Sequence, residues 1–302
     1  MRSAWYFIAV FIAASAQAQE PHQAADGLEI GARYWLSSGS TTRSHDASSA
    51  DPSLLNPTST LLYDQLDANI IELLARKRIG EKWFAKGSVG LGKINSGTFT
   101  DEDFFLIGGE PFHTMTLSAT GGNLGYATID IGRELVRTAQ TVFGMYVGYQ
   151  YWNEKVDGQG FSDAFGPAGL PPEVLAITNE ITWQMLRLGG EVRLTNGRTR
   201  FIVDAAWVPY ATYRNEDSHY LRVATLGPVP NVIATGHGRG GTFDAEVRRS
   251  YPQLGGIDIG VGVRYWKLNA YNGSQTAAGF TFPIVDLESE RYGFTFTVAK
   301  SW

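Results

Sequence analysis

A strict two-residue alternation closes this chain of 302 residues. From position 291 onward, the even positions are Tyr292, Phe294, Phe296, Val298, Lys300 and Trp302, and the odd positions are Arg291, Gly293, Thr295, Thr297, Ala299 and Ser301. Successive side chains of a strand point to opposite faces of its sheet, so one face is largely apolar and the other small and polar. That pattern is typical of a strand in a membrane-spanning β-barrel. It recurs after Gly256, where Ile257, Ile259, Val261, Val263 and Tyr265 alternate with Asp258, Gly260, Gly262 and Arg264.

Composition supports a sheet that closes on itself in a membrane. Aromatic residues make up 13% of the chain, and there are 35 glycines. A soluble periplasmic sandwich can alternate too, but it rarely places so many aromatic residues on its outward face. Beyond the N-terminal segment no apolar run is long enough for a membrane-spanning helix. The net charge of −5 argues against a nucleic-acid partner.

The N-terminal segment has the features of an export signal. Arg2 provides the positive start, residues 5–14 an apolar stretch, and Ala16-Gln17-Ala18 a small-residue cleavage site. We therefore predict a signal peptide over residues 1–18 and a single barrel domain over residues 19–302. The apolar stretch is too short to span a bilayer as an anchor. The chain has no cysteine, which excludes disulfides, thiol nucleophiles and cysteine-ligated metals.

Ten strands are predicted in total, so the fold class is all-β: a ten-stranded antiparallel transmembrane β-barrel that extends above the outer membrane. They cover residues 27–38, 60–76, 82–97, 120–136, 140–156, 178–194, 199–214, 241–250, 256–271 and 285–302. Short turns alternate with long loops at 39–59, 98–119, 157–177, 215–240 and 272–284. Short turns face the periplasm and long loops face outward in such barrels. Ten strands enclose too narrow a lumen for a general porin.

Two charged triplets fall in or beside the long loops. They are Asp101-Glu102-Asp103 and Asp217-Ser218-His219. Residues at i and i+2 share one face of a strand, so each triplet places two ionisable groups together. Alone, such a triplet usually decorates a solvated loop. On neighbouring hairpins of a closed barrel, the two pairs could face each other across a water molecule.

The order and spacing of several motifs resemble the omptins, a family of ten-stranded outer-membrane endopeptidases. The resemblance runs from the second strand almost to the C-terminus. It rests on Ser59-Thr60-Leu61, on Gly90-x-Gly92 leading to the segment 96–104, on Leu124-Gly125-Tyr126-Ala127 with Asp130, on Gly148-Tyr149-Gln150, and on Glu216-Asp217-Ser218-His219-Tyr220.

The resemblance implies a catalytic aspartate pair at Asp101 and Asp103 and an aspartate–histidine pair at Asp217 and His219. A water held between Asp101 and His219 would be deprotonated by the histidine while it attacks the peptide carbonyl. Asp217 would orient the imidazole and favour its charged form. Asp103 would raise the proton affinity of the dyad. Ser118 is the candidate nucleophile of an alternative mechanism.

The alternation of inward and outward residues along the seventh strand conflicts with this site. If Phe201, Val203 and Trp207 point outward, strict alternation sends Asp217 and His219 outward as well. Pro209 has no backbone N–H, and a β-bulge there would shift the inward face by one residue. We therefore predict a bulge at Pro209 as a condition of the catalytic interpretation.

The resemblance implies that omptins which cut between basic residues have acidic side chains in their specificity pockets. Three positions of this chain depart from that pattern. The corresponding substrate-pocket candidates here are Arg43, Met115 and Asn215. A cation in place of a buried acid should disfavour basic substrates by several kcal/mol in a low-dielectric groove. We therefore predict a preference that is not dibasic.

The predicted partners are outer-membrane lipid, lipopolysaccharide and a polypeptide substrate, with the active site facing outside a Gram-negative cell. No metal and no other cofactor is predicted. The family depends on lipopolysaccharide held by basic residues on the barrel wall, but the wall position here is Asn153, with Lys155 two residues on. Activation by this lipid is left open. The alternative function is a non-catalytic adhesin or structural barrel, since a fold does not fix a function.

Overall fold

Ten antiparallel strands form a closed ring in the computed structural model, which describes residues 27–105, 111–163 and 169–302. Each strand pairs with the next along the chain, and β1 pairs with β10 to close the barrel. The predicted signal peptide lies outside the described residues. The strands are β1 (Leu28–His45), β2 (Leu54–Ile79), β3 (Trp83–Phe105), β4 (Pro111–Arg137), β5 (Thr141–Asp163), β6 (Leu170–Asn196), β7 (Thr199–His219), β8 (Val232–Tyr251), β9 (Ile257–Ala277) and β10 (Phe280–Ser301).

The predicted alternation decides which side chains meet lipid. In β10, Phe294 is 65% exposed whereas the next residue, Thr295, is 2% exposed and faces the lumen. The same apolar outward face recurs around the ring, for example at Ile71, Leu91, Ile129, Val147, Trp207 and Val261. This band identifies the membrane-spanning part of the barrel. Among the residues described, no helix is long and apolar enough to cross a membrane.

The lipid-facing band lies near one end of the barrel, which we call the turn end. Its connections are short, at residues 80–82, 138–140, 197–198 and 252–256. At the opposite end, the loop end, the strands continue well beyond the band. There β7 leads through a short helical segment, Tyr220–Arg222 followed by α1 (Val223–Leu226), to β8.

The five long loops were predicted too long, because most of their residues extend the strands. β8 begins at Val232, nine residues before the prediction, and β9 and β10 meet in a two-residue turn at Ala278 and Gly279. Both turn residues have positive φ, 49° and 83°, as a type I′ turn requires. Above the membrane the outer face meets water, so apolar alternation fades from the sequence although backbone pairing continues.

Charged side chains fill the lumen at the level of the lipid-facing band. Arg76 contacts Glu134 at 3.0 Å and Glu191 at 2.9 Å, and Arg33 contacts Glu246 at 2.8 Å. Buried charges are tolerated when they are paired in this way. Further partners in the same layer include Glu29, Glu72, Asp130, Arg187, Arg193, Arg248 and Arg264. This ionic layer encloses a cavity of about 130 Å³.

An aromatic layer separates the ionic layer from the loop end. Trp152 lies at its centre, stacked on Tyr126 with ring centroids 5.1 Å apart and in edge contact with Trp35 and Trp266. Gly90 leaves room for this packing, since a Cβ there would lie 2.4 Å from the Tyr126 ring. The aromatic layer forms a floor beneath the lumen of the loop end.

The predicted β-bulge at Pro209 is confirmed. Trp207 pairs with Leu188 and Tyr210 with Leu186, so three steps along β7 match two along β6. The pairing of β7 with β8 is displaced over the same residues. Before the bulge the even positions of β7 are buried, and after it the odd positions are. The extra residue therefore turns Asp217 and His219 into the lumen.

Candidate active site

One wall of the loop-end lumen is built by β1 to β4. Arg43, Leu61, Asp101 and Met115 are direct cross-strand neighbours in a single row, and residues opposite each other in antiparallel strands share a face. Asp103 lies one inward position further from the membrane, opposite Ser59. Two catalytic candidates and two pocket candidates therefore share this wall.

The opposite wall is built by β6, β7 and the start of β8. Asn215, Asp217 and His219 occupy successive inward positions of β7, and the first two are fully buried. Asn179 of β6 lies opposite Asp217 and donates a hydrogen bond to its Oδ1. The register thus brings the second triplet and the third pocket candidate, Asn215, onto one surface.

Arg43 spans the lumen between the two walls. Its side chain starts on β1, and its guanidinium forms an ion pair with the Asp217 carboxylate and a hydrogen bond to Oδ1 of Asn215. Arg43 is 3% exposed and Asp217 is 0% exposed. Within the described residues, the Nε of Arg43 has no hydrogen-bond partner. The buried pair links β1 to β7 across the lumen.

Asp101 lies in an environment that favours its protonated form. Burial and then the negative charge of Asp103 raise the pKa of Asp101 to about 7, against a hydrogen bond donated by Ser59 at 3.3 Å. The charge of Asp217 on the other wall raises this pKa too. The charge of Asp103 thus acts on its neighbour in the predicted direction and favours a proton on the dyad.

His219 has a different hydrogen-bond partner from the one predicted. Burial lowers the pKa of its imidazole below the ordinary value, and the positive charges of Arg43 and Arg222 add to this shift. Asp217 favours the charged ring, as predicted, but the net shift is toward the neutral ring. Its Nδ1 lies 3.3 Å from Oδ1 of Asn231, while Asp217 binds Arg43 and Asn179. Desolvation and the two arginines outweigh a single carboxylate.

Several residues of the site were not predicted. Asn179 and Asn231 hydrogen-bond Asp217 and His219, and Ser59 was recognised only as part of a motif. Tyr63 lies on the first wall, one inward position closer to the membrane than Asp101. It is buried, and its hydroxyl has no hydrogen-bond partner among the described residues. Each lies on a strand or loop with no local signal; the strand register, or for Asn231 the fold of the β7–β8 connection, relates it to the triplets.

The alternative nucleophile does not reach this site. Ser118 is exposed, whereas its neighbours Leu117 and Ala119 are buried in the core. Alternation therefore places Ser118 on the outer face of β4, away from Asp101 and His219. Among the described residues, no group of three or more His, Asp or Glu side chains is arranged to hold a metal ion.

On the outer wall, an acidic residue lies beside the position considered for lipopolysaccharide binding. Nδ2 of Asn153 donates to Glu180 at 2.8 Å and to Thr182 at 3.0 Å. Lys155 lies directly opposite Glu180. Glu180 thus faces both candidate residues, which weakens the attraction of this wall for an anionic lipid.

A closed ring of ten strands, a lipid-facing band and a polar site at one end define an outer-membrane β-barrel fold. No known family model and no curated protein matches the sequence. The solved structure of the outer membrane protease OmpT from Escherichia coli aligns with a TM-score of 0.71 at 14% identity, covering 95% of this chain and 99% of that one. The chain has the fold of this omptin, as the motifs predicted.

Other barrels align less well. The β domain of the Bordetella autotransporter Brka gives a TM-score of 0.34 at 12% identity, covering 92% of this chain and 99% of that one. The Pseudomonas putida toluene transporter TodX gives 0.33 at 9% identity, covering 92% and 91%.

Proposed function

We propose that this protein is an outer-membrane endopeptidase that hydrolyses polypeptides with an activated water molecule at the loop end of its barrel. The observation that carries the proposal is the position of two ionisable pairs on opposite walls of the loop-end lumen, Asp101 with Asp103 on β3 and Asp217 with His219 on β7. Asp101 on one wall favours its acid form, and His219 on the other favours its neutral, basic form. Environments that push two pKa values apart in this way define acid and base roles.

In the proposed mechanism, His219 is the general base and the Asp101–Asp103 dyad the general acid. The neutral imidazole accepts a proton from the water as its oxygen attacks the peptide carbonyl. The dyad donates its proton to the carbonyl oxygen as the tetrahedral intermediate forms. When the intermediate collapses, that hydroxyl returns its proton to the dyad, and the His219 imidazolium donates the proton taken from the water to the leaving amine. No covalent acyl intermediate is required. The lumen floor below the site keeps the substrate at the loop end.

The pH dependence of kcat/KM is expected to be bell-shaped with a narrow maximum. Activity rises with pH as His219 loses its proton, below the ordinary histidine value of about 6.5, and falls again near pH 7 as Asp101 loses its own. Asp103→Asn removes a charge that raises the pKa of Asp101, so the falling limb should move to lower pH. Glu102→Gln, on the outer face of the same strand, is the control and should leave the profile unchanged. An unchanged profile in Asp103→Asn would argue against the dyad.

The cleavage preference is expected to exclude paired basic residues. The Arg43 guanidinium occupies the pocket region beside Asn215 and Asp217, and a substrate cation entering there would meet a buried like charge. A peptide library cleaved by the purified barrel and analysed by mass spectrometry measures this preference. A dominant Arg–Arg motif among the cleaved bonds would contradict the assignment of Arg43.

Cleavage itself is tested with the full chain refolded in detergent, with and without lipopolysaccharide, against a mixed peptide pool. Hydrolysis in either condition supports the endopeptidase, and dependence on the lipid supports its role as an activator. We further propose that the loop end faces outside the cell. Intact pools in both conditions would favour the alternative, a non-catalytic adhesin or structural barrel of the same fold.

A further inference from the structure

The connection between β7 and β8 folds back over His219 and ends at Asn231. The backbone N–H of Asn231 donates to the carbonyl of Asp217 at 3.0 Å, and the side chain of Asn231 is buried. Oδ1 of Asn231 accepts the backbone N–H of His219 at 3.0 Å. Nδ2 donates to two carbonyls, those of His219 and Gly227, each at 3.2 Å. Both Oδ1 and Nδ2 of the side-chain amide are therefore hydrogen-bonded to the backbone.

These contacts determine which way the amide points. If it were flipped, its NH2 group would face the backbone N–H of His219, donor against donor, and its oxygen would face two carbonyls. Oδ1 therefore faces the imidazole, 3.3 Å from Nδ1. An amide oxygen can only accept a hydrogen bond, so Nδ1 of the neutral ring must carry the proton.

The carboxylate next in sequence is engaged elsewhere. Oδ2 of Asp217 accepts from Arg43 and Oδ1 from Asn179. Its contribution to His219 is a nearby negative charge, which is opposed by the positive charges of Arg43 and Arg222. The group in hydrogen-bonding position at Nδ1 is the neutral amide of Asn231.

We propose that Asn231 is the positioning residue of His219, fixing the Nδ1–H tautomer and leaving the Nε2 lone pair as the base that faces the lumen. The catalytic part of this role rests on the proposed function, whereas the tautomer does not. A neutral amide orients the ring while its hydrogen bond raises the pKa of the imidazole less than the charge of Asp217 does, which suits a base that must be unprotonated near neutral pH.

The tautomer is measured by ¹⁵N NMR of the histidine side chains in the full refolded barrel at pH 8, where the ring is neutral. The His219 signals, assigned by their loss in His219→Ala, are expected to show a protonated Nδ1 and an unprotonated Nε2. In Asn231→Ala the two tautomers should mix. In Asp217→Asn the Nδ1–H form should persist.

A second histidine provides a matched control. On the outer wall, Oδ1 of Asn272 accepts the backbone N–H of His237 at 3.0 Å and lies 3.0 Å from its Nδ1. The arrangement repeats that of Asn231 and His219 away from the site. Asn272→Ala should change the signals of His237 and leave those of His219, together with peptide cleavage, unchanged.

Kinetics separate positioning from a purely structural effect. Asn231→Ala is expected to lower kcat by about 10- to 100-fold with little change in KM, as for other partners that orient a functional histidine. Asn231→Asp keeps an acceptor at Nδ1 but adds a charge, so it should recover much of kcat and move the rising limb of the pH profile upward. An Nε2–H tautomer in the wild type, or unchanged His219 signals in Asn231→Ala, overturns the proposal. A barrel without peptidase activity would leave the tautomer result standing and refute only the proposed function.

Discussion

Replacement of His219 by alanine is expected to lower kcat for peptide cleavage by about 10²–10⁴-fold, the range typical of a lost general base. The imidazole is buried on the wall opposite Asp101, and burial lowers its pKa, which favours the neutral form. Of the other histidines in the described strands, His45 contacts Phe282 on the β1–β10 side, His237 lies on the outer wall, and His113 pairs with Asp103 across β3 and β4. The chemistry, and not the fold, should be lost.

The measurement compares wild-type and variant barrels on one peptide identified from the library, under single-turnover conditions that isolate the chemical step. Asp101→Asn should cause a loss of similar size, because the amide cannot supply the acidic proton. His237→Ala is the matched control and should retain full activity. If His219→Ala cleaved the peptide at the wild-type rate, the proposed site would be wrong.

Replacement of Arg43 by methionine is expected to destabilise the barrel by about 3–5 kcal/mol, the usual cost of removing one partner of a buried ion pair. Asp217 is fully buried and would be left with Asn179 as its remaining side-chain donor among the described residues. The Asn215 amide oxygen would lose its donor as well.

Denaturant unfolding of the refolded barrel measures this effect. The double variant Arg43→Met with Asp217→Asn removes both charges and should recover most of the lost stability, since replacing a whole buried pair is often neutral. Arg43→Lys should recover less, because a single ammonium cannot reproduce the two-pronged contact with Asn215 and Asp217. A cost below about 1 kcal/mol for Arg43→Met would mean that the pair contributes little to the fold.

The predicted part of the site depended on patterns that are local in the sequence. Asp101 with Asp103, and Asp217 with His219, share a strand face because residues two apart always do. The conflict in β7 was visible in the sequence too, and Pro209 marked where it is resolved. The confirmed bulge lies at this residue without a backbone N–H. After it, the odd-numbered and not the even-numbered side chains of β7 point into the lumen.

The contacts of the site were not predictable in the same way. Arg43 was predicted to replace a pocket acid, but its ion pair with Asp217 joins residues 174 positions apart. Such a contact exists only because the closed ring sets β1 against β7 across a lumen narrow enough for one arginine to span. Asp217 does favour a charged His219, as expected, but the net pKa is lowered by burial and by the charges of Arg43 and Arg222, which the sequence did not relate to this histidine.

The barrel, its ten strands and the two charged pairs could be predicted from the sequence, because alternation and i, i+2 spacing are properties of a single strand. Which groups contact those pairs depends on how distant strands meet. Barrel closure brings Arg43 to Asp217, and the fold of one connection brings Asn231 to His219. The protonation of the site follows from these contacts and from burial, both of which are set by the packing of distant strands around a common lumen.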